Sequence, residues 1–189
     1  MIWETIASSF TLVAASEMGD KTQLLAFSLA GRFRRPWTVL AGILVATLAN
    51  HALASSLGAW ISAYVPARIM ASVLAATFIG FGIWALRPDP RDACDKPARF
   101  GPFVSTVLLF FLAEMGDKTQ LATVALAARF GSAVLVTVGT TLGMLAADGL
   151  AVFLGEKFAA KVRGRWLRIC AAGLFFLFGL ASAWSAVRG

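Results

Sequence analysis

The chain has 189 residues, of which 59% are hydrophobic and 14% are charged, and its formal net charge is +7. Soluble domains are about half apolar and about a quarter charged, so this composition argues against an ordinary soluble domain and favours a membrane protein. The basic excess could indicate nucleic-acid binding, but Lys and Arg lie between the apolar stretches rather than on one polar module, which argues against a nucleic-acid partner.

Six apolar stretches, each close to or above the roughly 20 residues that cross a bilayer, predict an all-α polytopic membrane protein. In chain order they cover residues 4–31, 36–64, 67–87, 101–129, 132–156 and 166–187. Segments rich in Gly, Pro or charge, such as "GRFRRP" and "YVPAR", separate them. The link at 129–132 is so short that the fourth and fifth stretches could instead form one long kinked helix.

Neither the N-terminal segment nor the cysteines predict processing or a thiolate metal site. The segment "MIWETIASSF" has no Lys or Arg ahead of its apolar residues, so we do not expect a cleaved signal peptide. Cys94 and Cys170 are far apart and form no CxxC pair, so we expect neither a disulfide nor a thiolate metal site.

Within the first predicted helix, charged side chains interrupt the apolar run in the segment "SEMGDKTQLLAF", residues 16–27. The fourth predicted helix contains nearly the same string, "AEMGDKTQLATV", at residues 113–124. Between residues 17–33 and 114–130, twelve of seventeen positions are identical at an offset of 97 residues. This internal repeat predicts two halves of three helices each, at 1–87 and 101–189, joined by a linker at 88–100.

The number of helices in each half predicts how the halves are oriented. Because three is odd, the second half must enter the membrane in the opposite sense, as in the inverted repeats of many secondary transporters. Twelve Lys and Arg residues lie in the first, third and fifth loops, whereas only three lie on the other side. By the positive-inside rule, the three basic loops face the cytoplasm and both termini lie outside.

The repeated charges lie near the middle of their predicted helices, where an ionisable side chain costs about 2.5–3.5 kcal/mol on insertion scales. On a continuous helix, the Glu, Asp and Lys of each copy occupy positions i, i+3 and i+4 and share one face. Two such faces brought together carry four carboxylates and two ammonium groups, a formal charge of −2 that one divalent cation cancels. We therefore predict a metal site formed by Glu17, Asp20, Glu114 and Asp117. The glutamates are the expected primary ligands, and the spacing leaves open whether the aspartates coordinate the ion or hold the lysines.

Other residues of the two strings could support this site or tune its charge. Hydroxyl and amide oxygens suit Mg²⁺, Ca²⁺ or Mn²⁺, a Met sulfur would favour a transition metal such as Mn²⁺, and the lysines reduce the negative charge. These residues are Met18, Lys21, Thr22, Gln23, Met115, Lys118, Thr119 and Gln120. Gly19 and Gly116 allow close helix approach or a local helix break. The alternative is that the Glu/Asp–Lys pairs only lock helices together, but two copies in inverted positions favour the metal site.

Three further polar residues lie within the predicted helices and could belong to a cavity or a proton path. Asn50 and His51 lie midway along the second predicted helix, and Asp148 in the fifth aligns with His51 in the repeat register. An interhelical hydrogen bond would explain each of them equally well, so their role stays open at this point.

The string "EMGDKTQL", present twice, resembles the membrane family defined by two E-x-G-D-[KR]-[ST] motifs, which includes bacterial manganese exporters and the Golgi Mn²⁺/Ca²⁺ transporters of eukaryotes. The resemblance covers essentially the whole chain. It implies a multi-pass protein of the bacterial inner membrane that exchanges Mn²⁺, or Ca²⁺, for H⁺ as the coupling ion, without a cofactor. By the same resemblance, the motif positions are Glu17, Asp20, Lys21, Thr22, Glu114, Asp117, Lys118 and Thr119.

These observations lead to one main hypothesis, a secondary transporter that exports a divalent cation through a midplane carboxylate site. An exporter of small organic solutes such as amino acids, or an uncoupled divalent-cation channel, are the alternatives. We do not expect an enzyme, because no GxSG-like elbow accompanies His51 and Ser55, which stand four residues apart. The expected partners are the cation and the lipid bilayer, and the oligomeric state is left open.

Overall fold

The computed structural model of the chain describes residues 2–87, 100–154 and 164–188, and all secondary structure in this part of the chain is helical. Its eight helices run in the order α1 (Ile2–Glu17), α2 (Lys21–Phe33), α3 (Pro36–Tyr64), α4 (Ala67–Ala85), α5 (Pro102–Glu114), α6 (Lys118–Phe130), α7 (Ala133–Leu154) and α8 (Gly164–Arg188). The linker predicted at 88–100 lies almost entirely outside the described residues.

Four of these helices are long and apolar enough to cross a membrane, namely α3, α4, α7 and the Ile169–Arg188 part of α8. The prediction of an all-helical membrane protein is therefore confirmed. The predicted stretch 36–64 matches α3, and the stretches that correspond to α4, α7 and α8 agree with the structure to within two residues at each end. A residue in the left-handed conformation, Gly131 with φ 66°, ends α6 before α7 begins, so no long kinked helix joins them.

The prediction of continuous helices at 4–31 and 101–129 is wrong, because each stretch is interrupted in the middle of its motif. In the first, α1 ends at Glu17 and α2 begins at Lys21; in the second, α5 ends at Glu114 and α6 begins at Lys118. Gly19 at φ 84° has a backbone conformation that only glycine adopts readily. The expected common face of Glu, Asp and Lys therefore does not form in either copy.

Each break is a tight turn held by backbone and side-chain hydrogen bonds. The Asp117 N–H donates to the Glu114 carbonyl at 3.1 Å, and the dihedral angles of Met115 (−63°, 121°) with a φ of 76° at Gly116 are those of a type II turn. The Gly116 N–H donates to the Gln120 side-chain oxygen at 2.8 Å, and Gly19 makes the same bond to Gln23 at 2.9 Å. The turn therefore replaces hydrogen bonds that the continuous helix would have made.

The first helix of each half packs against the long helix of the other half. α1 lies along α7 and α5 lies along α3, while α3 also packs against α7 and α4 packs against α8. Glycines permit the closest approaches: a Cβ added to Gly143 of α7 would lie 2.6 Å from the Phe10 carbonyl oxygen of α1, and one on Gly42 of α3 would lie 2.7 Å from Thr106 Cβ of α5. This cross-packing brings the two breaks into the same interior region.

Candidate cation site

The site begins with the two aspartates that start the second helix of each pair. Asp20 precedes α2 and Asp117 precedes α6, both with extended backbone angles typical of an N-cap residue. The Asp117 side chain accepts a hydrogen bond from the Lys118 N–H at 2.7 Å. Helix N-termini carry partial positive charge, so these ends favour carboxylates in their first turn.

The lysines join the two copies of the motif by crossed ion pairs. Lys21 Nζ lies 2.9 Å from Asp117 Oδ2, and Lys118 Nζ lies 3.3 Å from Asp20 Oδ1. The Lys118 side chain is 6% exposed and that of Lys21 is 25% exposed, so both pairs are wholly or largely shielded from solvent. Each lysine thus neutralises the aspartate of the other half, and the two motifs form a single cluster.

The two glutamates are both fully buried but have different surroundings. The Thr22 hydroxyl donates to Glu17 Oε2 at 2.7 Å, and the Thr119 hydroxyl donates to Glu17 Oε1. In the described part of the chain neither oxygen of Glu114 has a hydrogen-bond partner. The two copies of the motif therefore have the same residues, but the hydrogen bonds to their glutamates differ.

The structure places Asp148, Asn50 and His51 in the interior with no exposed surface. Asn50 Nδ2 donates to the Phe111 carbonyl of α5 at 3.1 Å, which is the interhelical hydrogen bond that the sequence left open. Among the described residues, neither the His51 ring nitrogens nor the Asp148 oxygens have a hydrogen-bond partner. Asp148 lies within electrostatic range of Glu17 and Asp20.

The residues expected to support the site have separate tasks in this conformation. The Gln23 and Gln120 oxygens hold the two turns, and Gln23 Nε2 donates to the Ala147 carbonyl of α7 at 2.9 Å. Met18 is half-buried and Met115 is 56% exposed. Within the described residues, no three His, Cys, Asp or Glu side chains are grouped so that they could hold a metal ion.

Sequence reasoning had left open whether the aspartates hold the lysines, but it missed that each lysine pairs with the aspartate of the other copy, and it missed the side-chain connection to α7. The break itself had a local signal, since Gly-Asp before Lys-Thr-Gln reads as a turn followed by an N-cap. Nothing in either string alone could have predicted that each lysine pairs with the aspartate of the other copy, because this pairing depends on how close the two copies lie in space.

Two cavities lie at the ends of helices, and no residue of the two EMGDKTQL motifs lines either of them. A cavity of about 850 Å³ lies where α6 and α3 end, with Glu4, Arg129 and Ser182 among its lining residues. A cavity of about 270 Å³ lies where α2 and α7 end, beside Arg34 and Phe153. Arg129 in the larger cavity donates to the Phe178 carbonyl at 3.0 Å and to the Ser182 hydroxyl at 2.7 Å, which ties α6 to α8.

A helical membrane protein with paired helix breaks and a buried cluster of opposite charges has the features of a transporter of ions. Comparison with known proteins gives the particular family: residues 5–93 and 102–189 match the model of GDT1, described as the divalent cation/proton antiporter GDT1. The chain belongs to this family. The family is one of divalent cation/proton antiporters, so the chain is assigned to a transporter family.

Individual relatives agree with this assignment along nearly the whole chain. A Vibrio cholerae protein named "Putative manganese exporter" is 45% identical over 96% of this chain and 92% of its own length. A GDT1-like protein of Synechocystis sp. is 32% identical over 93% of this chain and 95% of its own, and GDT1-like protein 3 of Arabidopsis thaliana is 26% identical over 96% and 71%. No solved structure matches the chain.

Proposed function

We propose that this protein exports Mn²⁺, with Ca²⁺ as an alternative cargo, across the bacterial inner membrane in exchange for H⁺. The family and the name of the Vibrio cholerae relative support the cation and the exchange. The observation that carries the proposal is the pair of crossed Lys–Asp contacts, because they unite both copies of the motif in one buried cluster.

The charges of the cluster suggest which residues hold the cargo. Four carboxylates and two lysines carry a formal charge of −2, which one divalent cation cancels. Asp20 and Asp117 are paired with the lysines, so the remaining carboxylates of the two motifs, Glu17 and Glu114, are proposed as the primary ligands. Thr22 and Thr119 orient Glu17, while Gln23 and Gln120 keep the helices broken.

Cargo binding requires a rearrangement from the present conformation, because the carboxylates are not grouped tightly enough to hold an ion. We propose that the halves 1–87 and 101–189, joined by the cytoplasmic segment 88–100 and oppositely oriented with both termini outside, rock about the cluster. Metal ligands must be deprotonated, so protons and the cation compete for the same carboxylates. This competition is the proposed basis of exchange.

Proteoliposomes with an imposed pH gradient test the function directly. Vesicles with an acidic lumen and a neutral exterior should accumulate external Mn²⁺ as protons leave, and a proton ionophore should abolish the accumulation. Glu17→Gln and Glu114→Gln should each lower this flux by at least the 10–100-fold that changes in the outer shell of a metal site typically cost. Glu4→Gln makes the same chemical change at an exposed position of α1 and should leave the flux unchanged.

Each alternative predicts a different result in the same vesicles. An uncoupled channel would equilibrate Mn²⁺ at the same rate with or without the pH gradient. An organic-solute exporter would move amino acids, and these would compete with Mn²⁺. Retention of gradient-driven Mn²⁺ flux by both glutamine variants would contradict the assignment of the site.

A further inference from the structure

Asp148 on α7 is a buried carboxylate that lies outside both copies of the motif. Its side chain has no exposed surface, and within the described residues neither of its oxygens has a hydrogen-bond partner. Burying an ionised carboxylate without a partner is expensive, so such a group is retained where a ligand, water or a proton compensates it.

The surroundings of Asp148 are those of the cation cluster. It lies within electrostatic range of Glu17 and Asp20, and Glu114 in turn lies within range of Asp148. Lys21 pairs with Asp117, and Lys118 pairs with Asp20.

The first motif also determines where Asp148 lies. Gln23, whose oxygen caps the turn at Gly19, donates through Nε2 to the carbonyl of Ala147 at 2.9 Å. Ala147 is the residue directly before Asp148, so this hydrogen bond ties the α7 backbone at Asp148 to the break between α1 and α2. The repeat places His51 at the matching position of the first half, so this extra carboxylate exists in one half only.

We propose that Asp148 is a third cargo-binding carboxylate, supplied from outside the repeated motif, which acts together with Glu17 and Glu114. This inference rests on the proposed function of that site. With Asp148 the buried side chains carry a formal charge of −3, one more negative charge than a divalent cation cancels. Asp148 therefore strengthens cation binding and increases the stabilisation that a bound cation gives to the folded protein.

The variant Asp148→Asn tests both consequences in purified protein. We expect the Kd for Mn²⁺, measured by isothermal titration, to rise about tenfold or more, in line with the 10–100-fold cost of altering a metal site. The upward shift of the thermal unfolding midpoint on adding Mn²⁺ should shrink, since this shift reports binding to the folded state.

Two further variants keep the test decisive. Thr141→Val removes another buried side-chain oxygen of α7 that lacks a hydrogen-bond partner in the described part of the chain, and it should leave the Kd unchanged. Asp148→Glu keeps the charge and should bind Mn²⁺ more tightly than Asp148→Asn, which provides a comparison if the asparagine variant folds poorly.

An unchanged Kd in Asp148→Asn, or the same Kd in Asp148→Asn and Asp148→Glu, would overturn the inference. A lowered unfolding midpoint with unchanged Mn²⁺ binding would show a purely structural role and would also overturn it. If Glu17→Gln and Glu114→Gln lose binding while Asp148→Asn does not, the proposed function survives without Asp148. If none of the three affects Mn²⁺ binding, the proposed site itself is wrong.

Discussion

Two threonines at matching positions of the repeat donate to the same glutamate. Thr22 and Thr119 both bond to Glu17, one to each oxygen, although strict symmetry would give Glu114 a donor of its own. Hydrogen bonds to a charged group are stronger than neutral ones, contributing about 1.5–3 kcal/mol each. Two donors therefore hold the Glu17 carboxylate in place, whereas neither oxygen of Glu114 has a hydrogen-bond partner among the described residues.

Replacing Thr119 by valine should lower the free energy of unfolding by about 1.5–3 kcal/mol, because it removes a buried donor to a carboxylate. Thr123→Val is the matched control one turn later in α6, since its hydroxyl donates, as far as the described residues show, to the Thr119 carbonyl of the same helix. Chemical unfolding in detergent measures both. Equal losses in the two variants would show that the Thr119–Glu17 bond contributes nothing.

At the scale of the helix, the main feature is the break between α1 and α2 and the matching break between α5 and α6. Each break puts the end of one helix and the start of the next in the middle of the motif. The glycine at positive φ makes the turn, the glutamine oxygen satisfies the glycine N–H, and the aspartate starts the next helix. A residue with a Cβ in this left-handed conformation costs about 1–2 kcal/mol. The cost depends on the backbone alone, because a Cβ on Gly116 would meet no atom within 4 Å.

Gly116→Ala should therefore lower the free energy of unfolding by about 1–2 kcal/mol. Gly80→Ala is the contrasting control: Gly80 lies inside α4 without positive φ and also has nothing within 4 Å of its added Cβ. There alanine should stabilise by about 0.5–1 kcal/mol, since glycine is the poorer helix residue. Effects of the same sign in both variants, measured by thermal unfolding in detergent, would contradict this account of the break.

At the scale of the whole molecule, the first helix of each half packs against a helix of the other half. α1 packs on α7 and α5 on α3, and each lysine likewise pairs with the aspartate of the other half. Such reciprocal contacts support the proposed two-fold relation between halves of opposite orientation. An inverted relation puts equivalent residues of the two copies on opposite sides of the membrane.

Single cysteines at equivalent positions test that orientation, starting from a variant that lacks Cys94 and Cys170. Arg35 and Ser132 are separated by the repeat offset of 97 residues. In intact bacterial cells, a membrane-impermeant maleimide should label Ser132→Cys, whereas Arg35→Cys should react only after permeabilisation, because basic loops stay in the cytoplasm. Labelling of both from outside would show that the halves are not inverted.

Hydropathy and repetition predicted most of the fold, but not the interrupted helices. The stretch 36–64 matches α3 because a long apolar run between Pro36 and the "YVPAR" turn leaves few other choices. The breaks at Gly19 and Gly116 were foreseen only as an option, since a lone glycine inside an apolar run is compatible with a continuous helix. Their position between Glu and Asp is what separates the charges that were expected on one face.

The sequence by itself determined that the protein is helical, that it belongs in a membrane, that its charges occur twice and that its motif resembles a cation/proton exchanger family. These properties are local or compositional, so the chain carries them without reference to its three-dimensional form. The tertiary structure alone decided that Lys21 pairs with Asp117, that Lys118 pairs with Asp20, and that Thr119 donates to Glu17 of the other half. The physical reason is distance: about a hundred residues separate these partners, and only the packing of α1 on α7 and of α5 on α3 brings them within reach.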